Sequence, residues 1–299
     1  MPAPLLFDRQ FDPQCGRLVQ IAAGIARLTA PNSSDYTFTG TNSFLLGSDR
    51  LAVIDPGPED ELHLQALLRA INDRPVDAII LTHTHRDHSA LALRLAKESK
   101  APLWFGGKHR LSRPLRALEV NPLRRSSDWA LIPDRTLLDG ETFLAGDLPV
   151  TVHATPGHCA NHLAFGVGEF LLSGDHVMGW NSTLVAVPDG SMADYLASLD
   201  KVIALPYWTY LPAHGGPIPN GPNYAQALKM HRETRNAQVL AAVRDGAQTV
   251  QAIVKTIYPK QSWRVRRAAR MTVTAHVEYL AARGLLKLKP SSLGGRITA

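Results

Sequence analysis

Thr82-His83-Thr84-His85-Arg86-Asp87-His88 follows directly on the apolar run at residues 78–81 and places four ligand-type side chains within six positions. In an extended segment leaving a strand, residues two apart face the same way, so His83 and His85 can reach one metal ion together. Asp87 and His88 then stand where they can reach a second. Imidazole with carboxylate is a ligand set that suits zinc, iron or manganese, and a borderline-soft ion such as Zn2+ leads among them. A single histidine is most often a packing or surface residue; four such groups in one short loop after a strand point to metal.

Outward from this stretch the chain alternates short apolar runs with amphipathic segments. Strands are predicted at 43–46, 51–54, 78–81 and 103–105, with helices near 59–71 and 91–97 between them. Further strands are predicted at 150–154, 162–167, 170–172 and 208–211, with a helix near 192–204. Sheets covered by helices follow from that order. Residues 111–133 hold Pro114, Pro122 and Pro133 and exceed an ordinary connection, so they are expected to form a loop beside the site. Four more ligand-type residues follow apolar runs and stand beside glycine: His158 in Thr155-Pro156-Gly157-His158, Asp175 in Ser173-Gly174-Asp175, His214 in Pro212-Ala213-His214-Gly215, and Asp55 in Asp55-Pro56-Gly57. Glycine permits positive φ and close backbone approach, which lets a strand end aim a side chain into a shared site. Taken singly, each is as readily a turn residue.

In this order these residues resemble the metallo-β-lactamase superfamily, whose motifs are an early Asp, His-x-His-x-Asp-His, a His, an Asp and a final His. The resemblance spans roughly residues 40–215. It implies an α/β fold, an αβ/βα sandwich with the site at one edge of two sheets. It further implies two divalent ions, zinc first with manganese or iron as alternatives: one held by His83, His85 and His158, the other by Asp87, His88 and His214, with Asp175 bridging. Water activated between the ions would be the nucleophile. Asp87 is the candidate for orienting it and moving its proton, and Asp55 is the second catalytic candidate, acting from behind the ligands. Within the superfamily the chain looks most like the branch with a C-terminal winged-helix domain, which includes a mitochondrial endoribonuclease. The run from Thr82 to Ser89, the continuation from His158 to His162, and His231-Arg232-x-x-Arg235 carry that likeness. Cys159 departs from it, standing where the branch usually has Ser or Thr.

Charge divides the chain. Residues 1–223 hold 18 Lys+Arg against 23 Asp+Glu, a net −5, whereas residues 224–299 hold 14 against 3, a net +11. Two domains are expected accordingly: 1–223, catalytic, and 224–299, a linker helix at 224–243 followed by a small, mostly helical winged helix with helices at 249–257 and 272–283 and an edge strand at 285–289. Arg264, Arg266, Arg267 and Arg270 are expected to precede or open the second of these helices, near Tyr258 and Trp263, where phosphate contacts and base stacking can combine. The competing reading is a solvated or packing face.

At 299 residues with 45% hydrophobic and 19% charged content, the chain is neither disordered nor coiled coil. Its apolar runs are far shorter than a membrane span, and residues 1–10 lack the apolar stretch of a secretory signal, which points to a cytoplasmic, non-membrane protein. Two cysteines, Cys15 and Cys159, give no disulfide framework. The expected activity is metal-dependent hydrolysis, with single-stranded RNA as leading substrate and a small thioester, ester or lactone, as in glyoxalase II-like enzymes, as the alternative. A true β-lactamase is disfavoured by Asp175, where that class usually carries Cys or Ser. A non-catalytic nucleic-acid binder is disfavoured by seven ligands, since structural sites close with four. A homo-oligomer is compatible with all of these. His109, His153, His162 and His176 read first as packing residues, His162 and His176 being the better functional candidates; Trp180, Asn181, Ser182 and Thr183 are candidates to line the cleft.

Overall fold

The computed structural model describes residues 5–289 and 296–299. A seven-stranded sheet runs β1 (Leu18–Ala22), β2 (Ile25–Thr29), β3 (Asn42–Leu46), β4 (Leu51–Ile54), β5 (Val76–Ile80), β6 (Leu103–Phe105) and β7 (Arg135–Thr136) in that spatial order. Its first four strands pair antiparallel and its last four parallel. The second sheet holds β8 (Thr142–Ala145), β9 (Leu148–Ala154), β10 (Leu163–Val167), β11 (Phe170–Gly174) and β12 (Thr209–Pro212), in the order β12-β11-β10-β9-β8. Helices α1 (Glu61–Ile71), α2 (Arg86–Ser89) and α3 (Ala92–Ser99) belong to the first half, α4 (Met192–Ile203) to the second. The chain closes with α5 (Gly221–Arg244), α6 (Val250–Ile257), α7 (Trp263–Ala282) and a ribbon of β13 (Lys287–Lys289) with β14 (Arg296–Thr298).

The burial pattern explains why the strands read as unbroken apolar runs. In β4, Ala52 and Ile54 face the second sheet, where Phe44, Ile80, Val152, Phe165 and Leu211 complete a core between the sheets. Leu51 and Val53 point the other way and pack with Leu64, Leu67, Leu91 and Leu95 under the helices. Both faces being covered, period-two alternation disappears. The outer face of the second sheet packs on α4 and the first turns of α5 through Leu171, Tyr195, Leu199, Tyr210, Ala225 and Leu228. Further along, α5 contributes Val239, Ala242 and Val243 to a separate core with Ile253, Val254, Val273 and Val277. The layers are therefore helix, sheet, sheet, helix, and α5 belongs to both cores.

Several elements differ from the sequence-based expectation. β2 is fully buried although Arg27 interrupts its apolar run; the Arg27 guanidinium lies over the Phe11 ring at 4.6 Å and donates to the Pro13 carbonyl at 3.2 Å. β1 and β8 are short, partly exposed strands whose pairing decides their conformation. α7 begins at Trp263, nine residues before the expected start, with Ser262 as its N-cap. The arginines at 266, 267 and 270 thus lie within the helix; the side chain of Arg264 falls outside the described residues. Among the described residues no helix is long and apolar enough to cross a membrane.

Candidate metal centre and cleft

Six of the ligand-type residues sit one to five positions beyond a strand at the same edge of the two sheets, and Asp87 and His88 follow in α2. Asp55 follows β4, His83 and His85 follow β5, His158 follows β9, Asp175 follows β11 and His214 follows β12. β11 and β12 run parallel with Gly174 opposite Pro212, which brings Asp175 beside His214. The sheets are tied together there: Asn42 Nδ2 donates to the carbonyls of Pro212 (3.0 Å) and Gly215 (2.8 Å), and the Leu163 amide donates to the Thr82 carbonyl at 2.7 Å. Gly40 at φ 130 is required, because a Cβ there would lie 2.0 Å from the Ala30 carbonyl oxygen.

Five imidazoles converge, and the hydrogen-bond network orients each through its other nitrogen. His88 Nδ1 donates to Asp55 Oδ2 (3.0 Å), His158 Nδ1 to the Leu184 carbonyl (2.8 Å), and His214 Nδ1 to the Gly40 carbonyl (3.1 Å). His83 Nδ1 bonds Thr82 Oγ1 at 3.0 Å. His85 is reversed: its Nε2 donates to Asp189 Oδ2 at 2.9 Å, leaving Nδ1 for the centre. Lone pairs of Nε2 of His83, His88, His158 and His214 and Nδ1 of His85 therefore face one another.

That convergence fits metal. His83 Nε2 and His158 Nε2 lie 3.1 and 2.8 Å from His85 Nδ1, an approach of three basic nitrogens that a cation between them would satisfy. His88 Nε2, His214 Nε2 and Asp175 Oδ1 are buried without a hydrogen-bond partner among the described residues. Asp175 stands between the two groups: Oδ2 is 3.5 Å from His158 Nε2 and 3.6 Å from His88 Nε2, and Oδ1 is 3.3 Å from His214 Nε2. Asp87 Oδ2 lies 3.5 and 3.4 Å from His88 and His214 Nε2. The trios His83/His85/His158, Asp87/His88/His214 and His83/His88/Asp175 each present ligand atoms within 4.8 Å of one another. All seven side chains nominated from the sequence are thus brought together.

The electrostatics agree. Burial and the neighbouring imidazoles hold His83 well below the usual histidine range, and burial with His85 lowers His158 to about 4. At His214, burial is outweighed by Asp175 and Asp87, which raise it to about 9. His88 is likewise raised, because Asp87, Asp175 and Asp55 outweigh its burial. The second trio attracts positive charge, which a divalent ion would supply while displacing those protons.

Asp55 is 1% exposed and also accepts from the Thr82 amide and Thr82 Oγ1, both at 2.7 Å. It touches no open space and acts on His88 from behind. His162 has a similar office, its Nε2 accepting from the Asp175 amide at 3.1 Å. His176 packs edge-on against Tyr195, and His153 bonds the Tyr207 hydroxyl away from the centre. Cys159 is buried, which raises its thiol. Asp189 carried no sequence signal, since Pro188-Asp189-Gly190 reads as a turn. It is nevertheless wholly buried and accepts from both His85 and His109. Burial would raise its carboxyl, but those two imidazole N–H groups hold it well below the usual carboxylate range.

A cleft of about 740 Å³ opens over the centre, with His85, Asp87, His158 and Asp175 on its floor. One wall comes from the 111–133 loop through Glu119, Leu123 and Arg125; another comes from α7 through Arg267, Arg270, Met271 and Thr274. Trp180, Asn181 and Ser182 line it as expected, whereas Thr183 is buried behind them. Arg113 joins the walls, bonding Glu119 of the loop and Glu278 of α7 through its guanidinium.

A family model described as metallo-beta-lactamase superfamily matches residues 36–214, and one described as beta-lactamase associated winged helix domain matches 249–291. The chain is 28% identical over 289 residues to a beta-lactamase-like protein 2 homolog of Drosophila melanogaster, covering 92% of this chain and 94% of that one. It is 27% identical over 259 residues to an atrochrysone carboxyl ACP thioesterase of Aspergillus chevalieri, covering 80% and 74%. A solved beta-lactamase domain protein from Burkholderia ambifaria superposes with a TM-score of 0.79 at 22% identity over 97% of this chain and 95% of that one. With that fold and both domain models in place, the chain belongs to the metallo-beta-lactamase superfamily and carries the associated winged-helix domain at its C-terminal end.

Proposed function

We propose that this chain is a hydrolase with a dinuclear metal centre, zinc being the ion its ligands suit best, and that its substrate is single-stranded RNA. Two divalent ions held by the seven side chains would supply Lewis-acid polarisation and lower the pKa of water. Asp87 is the ligand with the most access, its side chain 30% exposed on the cleft floor, where it can orient that water and take its proton. Asp55 and Asp189 hold the orientation of His88 and His85.

The observation that carries the substrate assignment is the ring of arginines around the cleft. Arg86, Arg125, Arg267 and Arg270 line it, all four are exposed, and none has a carboxylate partner among the described residues. Beyond the ligands, the acidic residues of the cleft are Asp35 and Glu119, and Glu119 is bound to Arg113. Positive charge collected on concave walls concentrates a polyanion at the centre. An acyl thioester is the second reading, favoured by the apolar stretch Met178, Leu184, Val187 and Met271 in the same cleft and by the relative named as a thioesterase.

Hydrolysis of single-stranded RNA and of an acyl-thioester panel, measured on metal-reconstituted protein, separates them. RNA cleavage that vanishes in a His83→Ala/His85→Ala protein is expected. Arg267→Ala/Arg270→Ala should weaken RNA binding and reduce the log–log salt slope by about 1.4, at about 0.7 per phosphate contact. Thioester turnover without RNA cleavage would overturn the RNA assignment in favour of the second reading.

A further inference from the structure

Arg232 of α5 is only 3% exposed, and no carboxylate pairs with it among the described residues. Its guanidinium sits 5.1 Å from the centroid of the Tyr195 ring, Nη2 donates to the Thr183 carbonyl, and Nε has no hydrogen-bond partner among the described residues. Burying a guanidinium without a counterion is costly, and an apolar side chain would fill the same space more cheaply. What distinguishes arginine at this position is its place over the Tyr195 ring and its bond to Thr183, and only the bond to Thr183 leads towards the ligands.

Residues 183 and 184 hold two ligand-bearing segments. Thr183 Oγ1 reaches the carbonyls of Asp175 and His176, the latter at 3.0 Å, and so fixes the backbone that carries the Asp175 carboxylate. The next carbonyl, that of Leu184, accepts from His158 Nδ1 at 2.8 Å and sets which nitrogen of His158 faces the centre. The 175–184 segment is anchored to α5 a second time, where Tyr224 Oη donates to the Gly179 carbonyl at 3.0 Å. α5 in turn is packed into the C-terminal core through Val239, Ala242 and Val243.

We infer that Arg232 is a positioning residue for the metal centre, acting through the Thr183–Leu184 main chain on Asp175 and His158, and that α5 thereby makes the C-terminal core part of what holds the metal site in shape. This rests on the metal-centre reading above and adds a residue outside the seven ligands and their immediate hydrogen-bond acceptors.

The test is cobalt titration of the metal-stripped full-length protein, followed by its visible absorption and by competition with a chromophoric chelator, on wild type, Arg232→Met and Thr183→Val. Arg232→Met is expected to keep the wild-type circular dichroism and lose about tenfold or more in affinity at the His83/His85/His158 position, the size typical when a ligand's supporting hydrogen bond is removed. Thr183→Val, which deletes one hydroxyl and preserves shape, is expected to shift affinity in the same direction. Should Arg232→Met fail to fold, Thr183→Val decides. A lowered Tm with an unchanged cobalt titration in the variants would mean a packing role and overturn the inference. Wild-type protein that takes up no cobalt would overturn the metal-centre reading, and this inference with it.

Discussion

Replacing Asp55 with Asn changes one atom in a buried site and tests how far the ligands depend on what stands behind them. Asp55 accepts three hydrogen bonds, two from Thr82 at 2.7 Å and one from His88 Nδ1 at 3.0 Å. An amide can keep its oxygen against the Thr82 N–H, but its NH2 group then meets the His88 Nδ1–H, donor against donor. His88 must either lose this bond or move its proton to Nε2, the atom that faces Asp87 and Asp175 at 3.5 and 3.6 Å. The backbone is not disturbed, because Asp55 has φ 51 and Asn tolerates that left-handed region as well as Asp does. The lost charge-assisted bond is worth about 1.5–3 kcal/mol. Passed on to the ligand, that corresponds to about 10–100-fold weaker metal binding at the Asp87/His88/His214 position. Chelator competition on metal-stripped Asp55→Asn, with circular dichroism to confirm folding, measures it. Affinity within twofold of wild type would refute the claim that Asp55 fixes His88.

Two further perturbations probe the scaffold. His63 is buried against Ser43 Oγ, and burial lowers its pKa to about 4. Between pH 6.5 and 4 the unfolded chain therefore binds a proton that the folded chain does not, and this residue's share of stability declines as pH falls, at about 1.4 kcal/mol per pH unit. Denaturant unfolding of metal-stripped His63→Gln should show a pH slope shallower by that amount; an unchanged slope would contradict it. Gly157 has φ 138, and a Cβ there would lie 2.4 Å from the Tyr195 Cα, so Gly157→Ala should cost about 3 kcal/mol, seen as a Tm lowered by more than about 5 °C. A Tm within a degree of wild type would show that α4 can move away freely.

The layered fold was legible because its central strands carry continuous apolar runs and its ligand loops follow them directly. β2 was hidden by Arg27, whose charge is accommodated by Phe11 and the Pro13 carbonyl, partners that hydropathy does not register. The early start of α7 was obscured because its first turns are basic and exposed, with no apolar stripe to mark them. At the site, ligand types and spacing are local and visible; the groups that aim the ligands are distant in sequence. Asp189 reaches His85 across 104 positions, and Arg232 reaches Thr183 across 49. Each is an ordinary turn or helix residue until the fold places it. The cleft wall contributed by α7 is non-local in the same way: the basic character of residues 224–299 was evident, but the placement of Arg267 and Arg270 in the same cleft as His85, Asp87, His158 and Asp175 required the packing of the two cores.

Metal stoichiometry tests the central claim most directly. Full-length protein reconstituted with Zn2+, freed of excess by gel filtration and measured by elemental mass spectrometry, should hold two ions per chain, falling to about one in His214→Ala, which removes a ligand of the Asp87/His88/His214 trio alone. Wild-type protein that retains one ion or none under those conditions would contradict a dinuclear centre.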